Sequence, residues 1–412
     1  MSDLGTCCVI ENGLFQSLAH RLAKEYERVL YFRPWTSSFS HPNDLHIGQG
    51  YENIERIEEL WEPSVFNEID TFCFPDVYFK DMQKYLRSIG KPVWGAFDGE
   101  DMEMERVPMK EMMQRIGLPV NGYEVVIGIT ALRKFLEKHE DRFIKVSRVR
   151  GLTETFHAKN YELVKPKLDD LQSELGGLAE VQEFVIEEGI PDALEVGYDG
   201  FSIHGKFPKL AQWGVEIKDC GYAAEIRPYT ALPQSVRFVN EKLAGPMDAC
   251  GYQGFFSTEI RVGKDKKPYL IDFTARHASP AGECLQELVG NLGEIIEAGA
   301  HGELVEIKPT ARFAAQAIIT SDFAEEHWMP IYIPEKIRDA FKLYHSCKVG
   351  DQEYIIPTDA DMSEIGSVVA TGQTIDEAIK KCKDLAGQIE GYQVKVKVDA
   401  MDQAKAELQK AK

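Results

Sequence analysis

Three observations predict a mixed α/β and α+β protein made of two to four structural units. The first hundred residues alternate short apolar strands with amphipathic helices, the order of a parallel sheet. The middle of the chain carries paired strand patterns around tight turns, which is the pattern of hairpins. The chain is 412 residues long, and domains usually hold ~100–200.

In chain order, Cys7 to Ile10 reads as the first strand and Glu11-Asn12-Gly13 as a turn. Leu14, Leu18, Leu22 and Tyr26 fall at helical spacing, so a helix is expected from Leu14 to Tyr26. Val29 to Phe32 is a second strand and Thr71 to Phe74 a third. Val77 to Ile89 follows as a helix closed by Gly90, and Pro92 to Trp94 opens the next strand. Ligands of parallel sheets bind at the carboxyl ends of strands, which makes the Glu11–Gly13 turn a candidate substrate loop. It lacks G-x-G-x-x-G, so a dinucleotide is not expected there. The acidic stretch Asp98 to Glu105 reads as an exposed linker.

Between Pro108 and His139, two helices are expected around a strand from Gly122 to Ile127. Arg142 to Arg148 is a strand. Asn160 to Leu178 is a polar helix ended by Gly176-Gly177, and Val181 to Ile186 is another strand. Leu194 to Ile203 reads as two short strands around a turn at Tyr198-Asp199-Gly200. Gly254 to Val262 and Tyr269 to Ala275 form a second hairpin. Further on, Phe313 to Ile319 and Ser367 to Ala370 read as strands. Thr374 to Ile389 is an amphipathic helix whose Thr374 and Glu377 fit a capping box. The Lys-rich tail after Asp399 reads as a solvated helix. There is no tandem repeat.

Composition narrows the function. Hydrophobic residues make up 44% and charged residues 28%, the balance of a globular protein with a core. No run of eighteen apolar residues occurs, so no membrane span is expected. Met1 to Thr6 carries no basic region ahead of an apolar stretch, so the cytoplasm is the expected compartment. The net charge of −20, from 47 basic and 67 acidic residues, repels a phosphate backbone and argues against general nucleic-acid binding. The eight cysteines show no C-x-x-C and no zinc-finger spacing, and are expected to be reduced and buried.

The most informative segment is G-Y-Q-G-F-F-S-T-E-I-R-V-G-K-D-K-K-P-Y-L-I-D-F-T-A-R-H-A-S-P. Side chains alternate faces along a strand, so Asp272, Thr274 and Arg276 share one face while Ile271 and Phe273 point into the core. Glu259 lies on the partner strand. Two carboxylates, a hydroxyl and an arginine suit Mg²⁺ bound to nucleotide phosphates, the arginine neutralising developing charge. On this segment alone, a half-exposed hairpin with an Asp–Arg ion pair fits equally.

The hairpin resembles the metal-binding end of the ATP-grasp family, where an acidic residue on one strand precedes a second strand carrying E/D-x-N-x-R. The resemblance implies Glu259 and Asp272 as metal ligands, with Thr274 where the family has asparagine. V-P-M-K-E-M-M-Q-R-I-G-L-P-V and R-F-I-K-V-S-R resemble the segments that supply two phosphate-contacting lysines, implying Lys110 and Lys145. V-Q-E-F-V-I-E-E-G resembles the adenine hinge, with backbone groups of Glu183, Phe184 and Val185 on the adenine edge. Glu188 would then hold the ribose, with Asp192 as fallback. Lys218 sits where related ligases carry a lysine near the triphosphate.

Within the family the chain is similar to phosphoribosylamine–glycine ligases, notably in I-D-T-F-C-F-P-D-V-Y-F-K-D-M-Q-K-Y-L-R-S-I-G-K-P-V-W-G and S-V-V-A-T-G-Q-T-I-D-E-A-I-K-K-C. This implies a Rossmann-like pre-ATP-grasp domain over 1–104, an ATP-grasp domain over 105–310 and a small α/β domain over 311–412. It implies ATP and Mg²⁺, or Mn²⁺ in its place, and a small-molecule carboxylate, an amino acid, joined to an amine through an acyl-phosphate. Arg276 and Lys218 would be catalytic, and a homodimer is an admissible assembly. The departures are in loops. The family's G-x-G-G-R-E-H-A turn, which helps hold a ribose phosphate, is here I-E-N-G-L-F-Q-S-L-A-H. R-V-R-G-L-T-E-T replaces the lid G-K-G-V, and Y-A-A-E-I-R-P-Y-T replaces N-T-G-G-M-G. Glycines let a backbone approach phosphates, so a different lid, Arg150 to His157, and a different substrate pair are expected. Arg148 and Arg150 are candidates to replace lid amides. An authentic phosphoribosylamine–glycine ligase and a non-catalytic nucleotide-binding protein are the alternatives.

Overall fold

The computed structural model describes residues 4–34, 42–149, 154–191, 194–218, 220–357 and 363–410. The apolar opening segment forms β1 (Leu4–Ile10), with β2 (Tyr26–Phe32), β3 (Glu55–Ile57), β4 (Thr71–Cys73) and β5 (Val93–Trp94) beside it. Their order is β3-β2-β1-β4-β5, all parallel. Cys7, Cys8, Val9 and Ile10 are fully buried, as a strand covered on both faces requires. The order reverses between β1 and β4, which puts the sheet's switch point at the loops following those two strands.

Strands β6 (Tyr123–Ile127), β7 (Arg142–Val146), β8 (Thr155–Ala158) and β9 (Glu183–Glu188) form an antiparallel sheet in the order β6-β9-β7-β8. Ile144, Val146, Phe184 and Ile186 face the helices Ile129–Leu136 and Tyr161–Leu175, burying Leu132, Leu168 and Leu171 between them. Asn160 caps the second helix by accepting from the Leu163 amide at 3.0 Å. The opposite face of this sheet carries Lys145 and Glu187.

A nine-stranded sheet follows. It begins with β10 (Leu194–Ile203), β11 (Leu210–Ile217), β12 (Gly221–Pro228), β13 (Gln253–Val262) and β14 (Pro268–Thr274). The expected hairpin at Tyr198–Gly200 is instead one continuous strand. β10 pairs with β13 from Leu194↔Val262 to Ile203↔Gln253 without a break. Asp199 spends its turn-forming oxygens across the sheet, accepting hydroxyls from Tyr222 and Ser257. Gly214 makes room for this, because a Cβ there would collide with the Tyr222 ring.

The last strands are β15 (Phe313–Thr320), β16 (Met329–Tyr332), β17 (Phe341–Leu343), β18 (Ser346–Val349), β19 (Gln352–Ile355), β20 (Glu364–Gly372), β21 (Glu390–Gly391) and β22 (Lys395–Val396). The nine-stranded sheet runs β14-β13-β10-β11-β12-β15-β20-β17 with β22 on β15, and so continues across residue 310. A four-stranded sheet, β18-β19-β16-β21, lies beside it. Thr374 caps the helix Ile375–Ala386, accepting from Glu377 N at 3.2 Å while Glu377 accepts from Gln373 N at 2.9 Å.

Two solvated readings are corrected. The acidic stretch is not an exposed linker but a 3₁₀ turn and a short helix, Phe97–Glu100 and Asp101–Met104. Glu100 and Glu103 are buried because backbone and arginine donors await them inside. The tail forms the helix Ala400–Lys410, whose Met401, Ala404 and Leu408 are buried. Ala404 and Leu408 join the core around Trp213. Replacing Leu408 by alanine is expected to lower stability by about 2 kcal/mol or more, read as a fall in urea midpoint. A solvated helix would change by no more than about 0.5 kcal/mol.

Candidate functional site

A cavity of about 320 Å³ opens between the two sheets, with β7, β8 and β9 on one side and β13 and β14 on the other. Glu259 and Asp272 stand opposite each other across β13 and β14, where a register shift follows Glu259. Both line the cavity. Thr274 lies two residues further along, opposite Ser257, and is not on the cavity wall.

The site is a chain of alternating charges. Lys110, on the helix Arg106–Arg115, reaches Glu187 of β9 at 2.8 Å and donates to Asn121 Oδ1 at 3.0 Å. Asn121 returns to Glu187 at 3.1 Å and to the Glu188 carbonyl at 2.9 Å. Lys145 of β7 lies 4.0 Å from Glu187 and 3.7 Å from Asp272, and donates to the Ile271 carbonyl. Arg106 binds Asp272 at 2.5 Å with one terminal nitrogen and Glu154 with the other. Glu154 precedes β8, so the guanidinium bridges the two walls of the cleft.

The electrostatics follow from burial and neighbours. Burial alone would raise the Asp272 carboxyl, but Arg106 and Lys145 outweigh it and hold it below the usual range. At Glu259 the pull of Lys145 and Arg261 does not offset burial, Glu195 and Asp272, which push it up to about 7. Burial lowers the Lys110 ammonium against the pull of Glu187. Burial and the nearby Asp272 raise Glu154.

Phe184 and Val185 do not reach the cavity wall. They are fully buried in β9, which is paired on both sides, with β6 and with β7, so their backbone groups belong to the ladder. Glu183 begins the same strand and accepts from Ser147 Oγ at 2.6 Å. The residues of this segment that do line the cavity are Glu187 and Glu188, at the end of β9, with Gly189 and Ile190 just past it. Glu188 is exposed there, 3.7 Å from Arg142. Lys218 is exposed on the cavity rim. Arg276 is off the cavity wall and donates to Glu103 at 3.0 Å. Arg148 is exposed and pairs with Glu105 at 2.8 Å. Asp192, Arg150 and the lid as far as residue 153 lie outside the described residues.

Sequence reasoning missed Arg106, Asn121, Glu154 and Glu187. Arg106 was findable, since it lies four residues before Lys110 and so on the same helix face. A larger cavity, about 640 Å³, separates the helix Gln16–Leu22 from the C-terminal strands. On its walls Lys24 pairs with Asp339 and Arg338 with Glu353.

The sequence matches no family model and no curated protein. Solved structures match it along nearly its whole length. Phosphoribosylamine–glycine ligase from Thermotoga maritima is 16% identical with a TM-score of 0.70, over 95% of this chain and 98% of that one. The biotin carboxylase domain of 2-oxoglutarate carboxylase from Hydrogenobacter thermophilus, solved with MgADP, ADP and bicarbonate, is 11% identical with a TM-score of 0.68. That match spans 99% of this chain and 95% of that one. L-amino acid ligase from Bacillus licheniformis is 15% identical with a TM-score of 0.59, over 95% and 99%. These are ATP-grasp enzymes, and at such identities the likeness is one of fold. The chain has the ATP-grasp fold. No helix among the described residues is long and apolar enough to cross a membrane.

The ATP-grasp cleft fits Mg²⁺ and a triphosphate by its donor set. Among the described residues no three His, Cys, Asp or Glu side chains converge to hold a metal by themselves. Glu259 and Asp272 therefore suit a cation that takes its remaining ligands from phosphate and water. The lysines and Arg106 supply the matching positive charge.

Glu187 gives the cleft a pH signature. Burial would raise its carboxyl, but Lys145 and Lys110 outweigh burial and hold it down. A depressed carboxylate stabilises the fold fully above its unfolded value, about 4.3, and loses that contribution as pH falls below it. Wild type is expected to lose stability in that acid window, and Glu187→Gln to lack that component. At neutral pH the variant is expected to cost about 3 kcal/mol, since the buried Lys110 loses its counter-ion and Lys145 keeps only Asp272. Urea midpoints against pH read both effects.

Proposed function

We propose that this chain is an ATP- and Mg²⁺-dependent carboxylate–amine ligase that forms an amide through an acyl-phosphate, with an amino acid as the carboxylate substrate. The observation that carries this reading is the meeting, in one cavity, of Glu259 and Asp272 with Lys145 and Lys218, backed by Arg106 and Lys110. The same fold in an L-amino acid ligase and in phosphoribosylamine–glycine ligase supports it.

A carboxylate oxygen of the substrate attacks the γ-phosphorus of ATP and ADP leaves. The amine nitrogen then attacks the acyl carbon, phosphate leaves and the nitrogen gives up a proton. Little covalent chemistry falls to the protein, so its work is positioning and charge stabilisation. Glu188 to Ile190, which line the cavity, would read the adenine edge in place of Glu183 to Val185, and Glu188 would accept from the ribose hydroxyls. Lys110, Lys145 and Lys218 hold phosphate oxygens. Glu259 and Asp272 would hold Mg²⁺, which would supply charge neutralisation on phosphate oxygens. Arg106 and Lys145 engage one oxygen of Asp272, so its other oxygen would be the one to hold the cation. Arg276, supported by Glu103, stabilises the substrate carboxylate or the tetrahedral oxyanion.

The pairing of Asp272 with Arg106 also favours a second reading, in which nucleotide binds without turnover. Mg²⁺-dependent ADP release with paired amino acids and amines separates the two. Release is expected and is abolished by EDTA. Asp272→Asn is expected to lower it about 100-fold or more while nucleotide still binds. Arg276→Ala is expected to lower it by about 10²–10³. Nucleotide binding with no release for any pair would sink the catalytic reading.

A further inference from the structure

An open parallel sheet takes its ligand outside the carboxyl ends of the strands where the order reverses. Unsatisfied backbone N–H groups in those loops are what attract anions. In this chain that crevice is bordered by the loops after β1 and β4. In the first loop Glu11 is fully buried, and its Oε2 accepts from the amides of Gly13 at 2.6 Å and Phe15 at 3.0 Å. Its Oε1 takes the Tyr31 hydroxyl. The loop is stoppered from the C-terminal side. Gly13 has φ +107, and a Cβ there would lie 2.9 Å from the His345 ring, while the His345 amide donates to Gly13 O at 2.9 Å.

The second loop is closed in the same manner. Val77 N donates to Asp76 Oδ1 at 2.9 Å, and Tyr78 N to Glu100 Oε2 at 2.7 Å. Phe79 N reaches Glu100 at 3.2 Å, and Gln83 Nε2 holds that buried carboxylate at 2.6 Å. The arginines adjoining these loops are matched too, Arg33 with Asp44 at 3.2 Å and Arg276 with Glu103. Amides on both sides of the crevice are therefore committed to the chain's own carboxylates.

Resting on the ligase reading above, we infer that Glu11 is a specificity-determining residue that bars phosphorylated acceptors, so that the amine joined here is unphosphorylated, as in a free amino acid. Its carboxylate occupies the amides that a phosphate would need. A phosphomonoester would bring about 1.5–2 further negative charges against it.

Calorimetric titration of ribose 5-phosphate, with inorganic phosphate as a second probe, tests this without turnover. Wild type is expected to give no saturable heat at millimolar ligand. Glu11→Ala vacates the amides and is expected to show a phosphate-dependent rise in Tm that wild type lacks. If Glu11→Ala does not fold, Glu11→Gln takes its place, with a weaker phosphate response expected from loss of charge alone. Saturable binding of ribose 5-phosphate to wild type would overturn the inference, as would a folded variant indifferent to phosphate. Failure of ADP release with every amine would sink the ligase reading and leave this titration to decide the crevice on its own.

Discussion

A buried carboxylate, Glu187, meets Lys110 from a helix and Lys145 from the neighbouring strand, and this three-way contact fixes the floor of the cleft. Removing charges from water costs several kcal/mol each, so such groups persist in a fold only when each has a partner of good geometry. The partnership extends outward, through Lys145 to Asp272 and through Arg106 to Glu154, until it touches both walls. Cations are thus held in place before any ligand arrives.

Much of the scaffold was legible because its signals are local. The apolar run T-C-C-V-I reads as a strand, and it is the centre of the first sheet. The alternation in Y-L-I-D-F-T set Asp272 apart from Phe273, and the strand pairing then placed Glu259 opposite it. Ile271, expected in the core, instead lines the cavity beside Asp272, because the register slips by one residue there. Lys145 was marked by the apolar strand around it. What escaped depends on register and on distant partners. In E-F-V-I-E-E nothing local says where the strand ends, and the ladder with β6 and β7 carries on to Glu188. Glu188 to Ile190, which reach the cavity wall, therefore lie five residues beyond Glu183 to Val185. Acidic runs look solvated, so nothing in D-G-E-D-M-E-M announced that Glu100 and Glu103 meet donors inside. Asp199-Gly200 has the composition of a turn, but two hydroxyls from neighbouring strands outweigh that preference.

The same economy governs both ends of the molecule's chemistry. Glu154 rests on Arg106 in the cleft, and Glu11 rests on the amides of the first loop. In each place an internal carboxylate meets donors that would otherwise face solvent. The two differ in their surroundings. Arg106 is shared between two carboxylates, Glu154 and Asp272, that line the open cavity. The Glu11 loop is tied by Tyr31 on one side and His345 on the other.

The nine-stranded sheet passes without interruption from β12 to β15, through the pairs Gly221↔Ala317 to Glu225↔Phe313. The tail helix after residue 399 then folds back to pack beneath Trp213. A recombination breakpoint near residue 310 would cut through a hydrogen-bonded ladder rather than between modules. The last hundred residues are therefore not an exchangeable cassette. Shuffling them against another member of the fold would have to preserve strand register on β12, which ties the evolution of the C-terminal segment to that of the sheet forming the cleft wall.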